Sequence, residues 1–126
     1  MSAPVAAGSV EQINAVTLAV ADMARSVAFY REAGFPLLAG GARSGFTSLR
    51  AGTGFVNLQH DPALPDQDGR WGRVIFFVDD VDATWARVSG SGLRPEQRPE
   101  DAAWGERFFH LRDPDGHELS FARPLG

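Results

Sequence analysis

The sequence predicts an α+β domain in which two βαβββ modules form a curled mixed sheet around a shared cleft, with the helices outside. The chain repeats itself after 58 positions, so that Val16–Asp22 falls on Val74–Asp80 without a gap. Both copies show a strand, an acidic N-cap, an amphipathic helix and a glycine stop. An internal repeat decides the fold, and two half-sheets with one helix each must share a core to bury their apolar faces.

The first module is predicted over about residues 13–60. Ile13–Val20 alternates as a strand does, and Asp22 can cap the helix that follows. That helix carries apolar side chains at helical spacing and ends at Gly34. Glycine pairs and turns then separate three further strand candidates: Phe35–Leu38, Gly45–Leu49 and Phe55–His60.

The second module is predicted over about residues 72–124 in the same order. Arg73–Val78 is a strand and Val81–Val88 a helix. Leu93–Arg98 contains Pro95, is followed by Pro99, and is at best an edge strand. Asp113–Gly116 is a turn in which proline fixes one backbone angle and glycine takes the positive one. The turn joins the last two strand candidates, Arg107–Arg112 and Glu118–Ala122.

Composition excludes several classes of protein. A chain of 126 residues with 44% hydrophobic residues can bury the core of one domain. A formal charge of −4 argues against a nucleic-acid partner, which needs a positive face. There is no apolar run long enough for a membrane span. Met1–Val10 lacks the features of a secretory signal, and we expect it to be a flexible arm. The absence of cysteine fits a cytoplasmic protein.

Two further motifs support a family resemblance. Trp104–Arg107 reads Trp-Gly-Glu-Arg, and Asp113–Leu119 reads Asp-Pro-Asp-Gly-His-Glu-Leu. With the repeated strand-Asp-helix-Gly pattern, they make the chain from Ile13 onward resemble the vicinal oxygen chelate superfamily, which includes glyoxalase I, extradiol dioxygenases, fosfomycin-resistance enzymes and bleomycin-resistance proteins. The resemblance implies the paired-module fold. It also implies a homodimer that completes the cleft, with the Met1–Val10 arm crossing to the partner.

The resemblance also identifies the positions that hold a metal ion in the superfamily's metalloenzymes. In this chain they are occupied by Ala15, Arg73, Asn57 and Ser120. None is a usual ligand of a divalent ion, and an arginine there repels a cation. We therefore expect neither metal nor other cofactor. The alternative is a displaced metal site built from His110, Glu118 and another ligand; His60 and His117 are poor members of such a set.

Strand alternation predicts which side chains share the cleft. In each strand we take the metal-equivalent position to point into the cleft, so every second residue on either side of it points there too. These side chains form an apolar, aromatic-rich cavity with a few polar groups, which is typical of a small-molecule site. The side chains expected inside are Ala15, Thr17, Phe55, Asn57, Gln59, Arg73, Ile75, Phe77, Phe108, His110, Glu118, Ser120 and Ala122. The predicted ligand contacts among them, together with Trp104 at the mouth of the cleft, are Arg73, His110, Phe77, Asn57, Gln59, Glu118, Ser120 and Phe108.

Several of these residues have a purely structural alternative. Arg73 either pairs with Glu118, docks an anionic or carbonyl-bearing ligand, or lies on the surface. His110 is either a ligand contact or general base, or a partly buried histidine bonded within the sheet. Trp104 either stacks on a flat ligand or covers the sheet edge. The remaining tryptophans are assigned to the helix core (Trp85) and to a rim or interface (Trp71).

Two functions from different classes follow. The first is a metal-free binding protein that sequesters an antibiotic or another planar hydrophobic compound. The second is an enzyme: either a metal-dependent lyase, isomerase or dioxygenase with a displaced site, or a metal-free acid–base catalyst using His110 and Glu118. The sequence contains no nucleophile–base–acid set, phosphate loop or dinucleotide fingerprint.

Overall fold

The computed structural model describes residues 11–65 and 72–126, together with Gly8. Trp71 and, apart from Gly8, the predicted Met1–Val10 arm lie outside the described residues. The first module contains β1 (Ala15–Val20), α1 (Met23–Glu32), β2 (Leu37–Ala39), β3 (Phe46–Ala51) and β4 (Gly54–His60). The second contains β5 (Arg73–Phe77), α2 (Val81–Gly90), β6 (Glu100–Asp101), β7 (Glu106–Arg112) and β8 (Glu118–Pro124).

The strands form two four-stranded mixed sheets, ordered β1-β4-β3-β2 and β5-β8-β7-β6. In each sheet the first and last strands of the module are parallel neighbours, and the remaining pairs are antiparallel. The predicted α+β fold of two βαβββ modules is therefore confirmed. Among the described residues, no helix is long and apolar enough to cross a membrane.

Each helix begins after an aspartate N-cap and ends shortly before a glycine, as the repeat predicts. The Asp22 carboxylate accepts from Arg25 N at 3.0 Å, and Asp80 accepts from Ala83 N at 2.9 Å. Gly34 follows α1 with φ of +110°, in the region that favours glycine. A Cβ at Gly34 would lie 2.4 Å from Arg87 Nη2, which donates to the carbonyl of Ala33 at 2.9 Å. The positive φ therefore favours glycine here, and a Cβ would also shift the Arg87 guanidinium that bonds to the Ala33 carbonyl.

One apolar core joins the two modules. Each sheet contributes alternate side chains from one face, and α1 packs Val27, Phe29 and Tyr30 into the same cluster. Phe35, just after α1, contacts the ring of Phe76 in β5 with centroids 4.8 Å apart. The sheet residues of the core are Leu18, Val20, Leu49, Val56 and Leu58 in the first sheet, and Phe109, Leu111, Leu119 and Phe121 in the second.

A buried polar contact also fastens the β7–β8 turn to the first module. Tyr30 Oη donates to Asp113 Oδ2 at 2.6 Å. Asp115 accepts from the backbone N–H of Ala21 at 3.0 Å and from Ser26 Oγ at 3.2 Å. Burial, followed by the charge of Asp113, raises the pKa of Tyr30 well above its usual value, so its hydroxyl stays a donor. The predicted hairpin thus also acts as a link between modules.

The segment Leu93–Arg98 is not a strand, contrary to the expectation. The edge strand is the two-residue β6, Glu100–Asp101, because Pro95 and Pro99 lack the N–H groups that a ladder needs. The segment still lies along β7, where Glu96 N donates to His110 O at 2.9 Å.

Trp85 was assigned to the helix core, but it is only partly buried. It packs against the edge of the core, and its Nε1 donates to the carbonyl of Gln97 at 3.0 Å. The guanidinium of Arg98 lies 5.8 Å from its ring centroid. Trp85 therefore holds the irregular segment against α2.

Candidate ligand-binding site

The second sheet has an open face that does not contribute to the shared core. Its side chains form three rows across β5, β8 and β7, as strand alternation predicted. The rows are Arg73–Glu118–Arg112, Ile75–Ser120–His110 and Phe77–Ala122–Phe108. The sequence-predicted cleft residues of this module therefore do share one face.

This open face has the profile of a shallow trough. Ser120, Ala122 and Phe108 on the central strands are buried, with Ser120 only 4% exposed. The flanking side chains stand clear: Phe77 on β5 is 63% exposed, and Trp104 in the β6–β7 connection is 69% exposed. We call this open face the trough. It has a buried floor between two exposed walls.

Charged side chains line one end of the trough. Arg73 Nε is paired with Glu118 Oε1, and Arg112 Nη2 lies 3.5 Å from Glu118 Oε2. The predicted ion pair is therefore present. The Arg73 side chain nonetheless remains 44% exposed, while that of Glu118 is 12% exposed. Arg73 is therefore both paired with Glu118 and accessible to a ligand.

The charge of Glu118 is stabilised in this position. Burial acts to raise its pKa, but the hydrogen bond and charge of Arg73, together with His110 and Arg112, outweigh burial and leave the pKa below its ordinary value. Glu118 is therefore ionised at neutral pH and is a weak base. This opposes the hypothesis that it acts as a general base.

His110 lies in the middle row and is bonded within the sheet. Its Nδ1 is 3.0 Å from Ser120 Oγ. Burial lowers its pKa, and the charge of Arg73 lowers it further, against smaller opposing effects of Glu118, Glu96 and Glu100. The imidazole is therefore neutral at neutral pH. Within the described part of the chain its Nε2 has no hydrogen-bond partner, and it remains available to a ligand.

Aromatic rings line the other end of the trough. The ring of Trp104 lies 5.6 Å from that of Phe108, which lies 4.9 Å from that of His110. Trp104 Nε1 donates to Glu106 Oε1 at 3.0 Å, which fixes the orientation of the indole. Phe108 is itself buried, so the apolar surface on which a flat molecule can stack is that of the exposed Trp104 ring.

Asn57 and Gln59 lie elsewhere, on the open face of the first sheet. Ser48 Oγ donates to Asn57 Oδ1 at 2.7 Å, and Asn57 Nδ2 donates to Thr17 Oγ1 at 3.4 Å. Among the described residues, no hydrogen bond or ring contact links Asn57 or Gln59 to the trough. These two predicted contacts therefore lie on the first sheet, and the other predicted contacts lie on the second sheet or, for Trp104, in the β6–β7 connection.

The side chains at the four metal-equivalent positions do not fit a divalent metal ion. Of the four metal-equivalent positions, the one on β5 holds a guanidinium that pairs with the nearby carboxylate of Glu118. His60 Nε2 and His117 Nε2 bond instead to backbone carbonyls at the end of β1, at 3.1 Å and 2.8 Å. Over residues 11–65 and 72–126, no three His, Cys, Asp or Glu side chains form a group able to hold a metal. The donor chemistry therefore also disfavours the displaced site built on His110 and Glu118.

Sequence reasoning missed a groove of about 560 Å³ between the modules. It follows the free edge of β5, where Phe35, Arg50 and Arg87 lie opposite Phe77. Of the predicted ligand contacts, Phe77 alone lines it. Strand parity could not reveal it, since it depends on how the end of α1 packs beside the second module.

Comparison with known proteins identifies the family. A family model described as the Glyoxalase/Bleomycin resistance protein/Dioxygenase superfamily matches residues 12–121. The chain belongs to this superfamily. The resemblance read from the repeat and the hairpin motif is thereby confirmed.

Solved structures of the superfamily share the fold over nearly the whole chain. TioX from Micromonospora sp. ML1 is 31% identical, with a TM-score of 0.72 over 91% of this chain and 100% of that one. A bleomycin-binding protein solved in complex with bleomycin is 24% identical, with a TM-score of 0.72, covering 90% and 98% of the two chains. A Nocardioides member is 22% identical, with a TM-score of 0.75, covering 93% and 85%. The last two comparisons establish the fold alone.

A mycobacterial protein matches part of the chain. CFP32 from Mycobacterium tuberculosis, whose name describes it as a candidate glyoxylase, is 34% identical over 83 residues, which are 66% of this chain and 31% of that protein. The chain thus spans about a third of the length of CFP32.

Proposed function

We propose that this protein binds a small organic molecule in the trough without a metal ion, and that it sequesters an antibiotic or another planar hydrophobic compound. The observation that carries the proposal is the Arg73–Glu118 ion pair at a position where the superfamily's metalloenzymes hold a metal ligand. A guanidinium there repels a cation and attracts an anion or a carbonyl oxygen. A relative in the same fold has been solved with bleomycin bound, which supports small-molecule binding as the activity.

The trough supplies both kinds of interaction that such a ligand needs. The exposed ring of Trp104, which packs beside Phe108, offers an apolar surface, and burying a ligand group the size of an aromatic side chain against it contributes about 1.5–3 kcal/mol. Arg73, His110 and Ser120 offer polar groups that fix orientation. A few polar groups on an apolar floor are typical of small-molecule sites.

A metal-free enzyme is the second candidate. A neutral imidazole at His110 can accept a proton, and the name of CFP32 refers to a catalytic activity in a relative. Glu118 cannot act as the partner acid, since its pKa is lowered and Arg73 holds it ionised. In such an enzyme, a group of the substrate itself would have to act as the partner of His110 in proton transfer.

We propose a homodimer in the cytoplasm as the working form. Apolar side chains on the open faces support the dimer, because Phe46, Ile75 and Phe77 are each about half exposed or more. The absence of cysteine suits a reducing compartment. A solution mass of twice 13.6 kDa is expected, and a mass of one chain would contradict the dimer.

Metal content and thermal shift together test the proposed function. Purified protein should contain no stoichiometric transition metal, and a panel of planar aromatic compounds that includes bleomycin should contain stabilisers. A compound present at 100 times its Kd adds about 2.7 kcal/mol to the free energy of unfolding. One equivalent of tightly held metal per chain would overturn the metal-free proposal, and turnover of every stabilising compound would favour the enzyme.

A further inference from the structure

The trough changes in chemistry along its length. The row at the start of β5 is charged, the middle row combines the apolar Ile75 with the polar Ser120 and His110, and the row at the end of β5 is apolar and aromatic. We infer that the ligand is an aromatic acid, with a flat ring system at the Phe77–Phe108 end and a carboxylate at the Arg73 end. This inference rests on the proposed function and adds the ligand's chemical class.

The charged end selects an anion. Arg73 uses Nε for Glu118, and within the described residues its two terminal nitrogens have no hydrogen-bond partner. Glu118 is shared between Arg73 and Arg112, and Glu96 Oε1 lies 3.6 Å from Arg112 Nε. A carboxylate can take the two terminal N–H groups of Arg73 side by side, which is the geometry a guanidinium favours. A cationic ligand would instead have to displace Arg73 from Glu118.

The opposite end selects a flat ring. Phe77 and Phe108 belong to strands separated by β8, so their backbones are about 10 Å apart. The residue between them in the row is Ala122, which is small and buried. The exposed rings of Phe77 and Trp104 thus flank a buried floor of Ala122 and Phe108, and the space between them can take a ring. Ring stacking against such walls needs no hydrogen bonds from the ligand.

The length of the trough sets the distance between the two groups. Arg73 and Phe77 are four residues apart on one strand, which corresponds to about 13 Å at 3.3 Å per residue. A benzoate is too short to contact both ends. An aromatic ring joined to its carboxylate by an alkyl chain spans them, and the chain passes over Ser120 and His110 in the middle row.

Calorimetric titration with ω-(2-naphthyl)alkanoates of increasing chain length tests this inference. Each acid is compared with its primary amide and with the corresponding amine. We expect a chain-length optimum at which the acid binds more than tenfold tighter than the amide. In Arg73→Gln that preference should fall to less than threefold, while Arg73→Lys should keep part of it. Arg31→Gln removes an exposed charge on α1 and should leave the preference unchanged.

The outcomes separate the ligand class from the proposed function. Equal binding of acid and amide, or tighter binding of the amine, would overturn the aromatic-acid inference while small-molecule binding stands. Retention of the full acid preference in a folded Arg73→Gln protein would also overturn it. Failure of every naphthyl compound and of the thermal-shift panel to bind would overturn the proposed function as well.

Discussion

Arg73 has two roles that are usually regarded as exclusive. It completes an ion pair with Glu118, which removes the cost of placing a charge on a largely apolar strand. It also stays nearly half exposed, because β5 is an edge strand and its open face meets solvent. The pair therefore preorients the guanidinium, and its terminal nitrogens face no competing partner among the described residues.

The charges around His110 predict opposite responses to two substitutions. The pKa of His110 is lowered by burial and by Arg73, and Glu118 acts in the other direction. We expect the histidine pKa, followed by NMR against pH, to lie below the ordinary value of about 6.5. Arg73→Gln should raise it, and Glu118→Gln should lower it further. A pKa that moves the same way in both variants would contradict this account of the site.

Gly34 gives a stability prediction at the junction of α1 and α2. Gly34→Ala places a Cβ against Arg87 at positive φ, so we expect a loss of about 1–3 kcal/mol in urea denaturation. The matched control is Gly90→Ala in α2, where a Cβ meets nothing within 4 Å; there we expect a gain of about 0.5–1 kcal/mol. Adding Arg87→Ala to Gly34→Ala should recover the steric part of the loss. Equal effects at both glycines would rule out this explanation.

At the scale of elements, the β7–β8 hairpin joins the modules through the α1 contact. Tyr30→Phe removes the donor to Asp113 in a buried site, and we expect it to cost about 1–3 kcal/mol of unfolding free energy. Ser91→Ala removes an exposed hydrogen bond to Arg87 O and should change stability by less than about 0.5 kcal/mol. If Tyr30→Phe is as mild as Ser91→Ala, the hairpin contact does not fasten the modules.

For the whole molecule, the sequence was sufficient where signals are local. Asp22, Asp80 and the turn at Asp113–Gly116 act on neighbouring backbone groups, so the elements they bound could be placed without tertiary information. The alternation along β5 likewise predicted the shared face of Arg73 and Phe77.

What could not be predicted depends on contacts between distant segments. The segment Leu93–Arg98 follows β7 without becoming a strand, since Trp85 and Pro95 decide its path. The groove at the edge of β5 arises only when α1 and α2 meet at Gly34.

The central claim is that the trough binds its ligand without a metal ion. The most direct measurement is the calorimetric Kd of the tightest-binding compound of the thermal-shift panel, before and after dialysis against a strong chelator. Because Arg73 and Glu118 satisfy each other where a metal ligand would stand, we predict that the Kd changes less than twofold. Loss of binding after chelation, with recovery on adding a divalent cation, would contradict the claim.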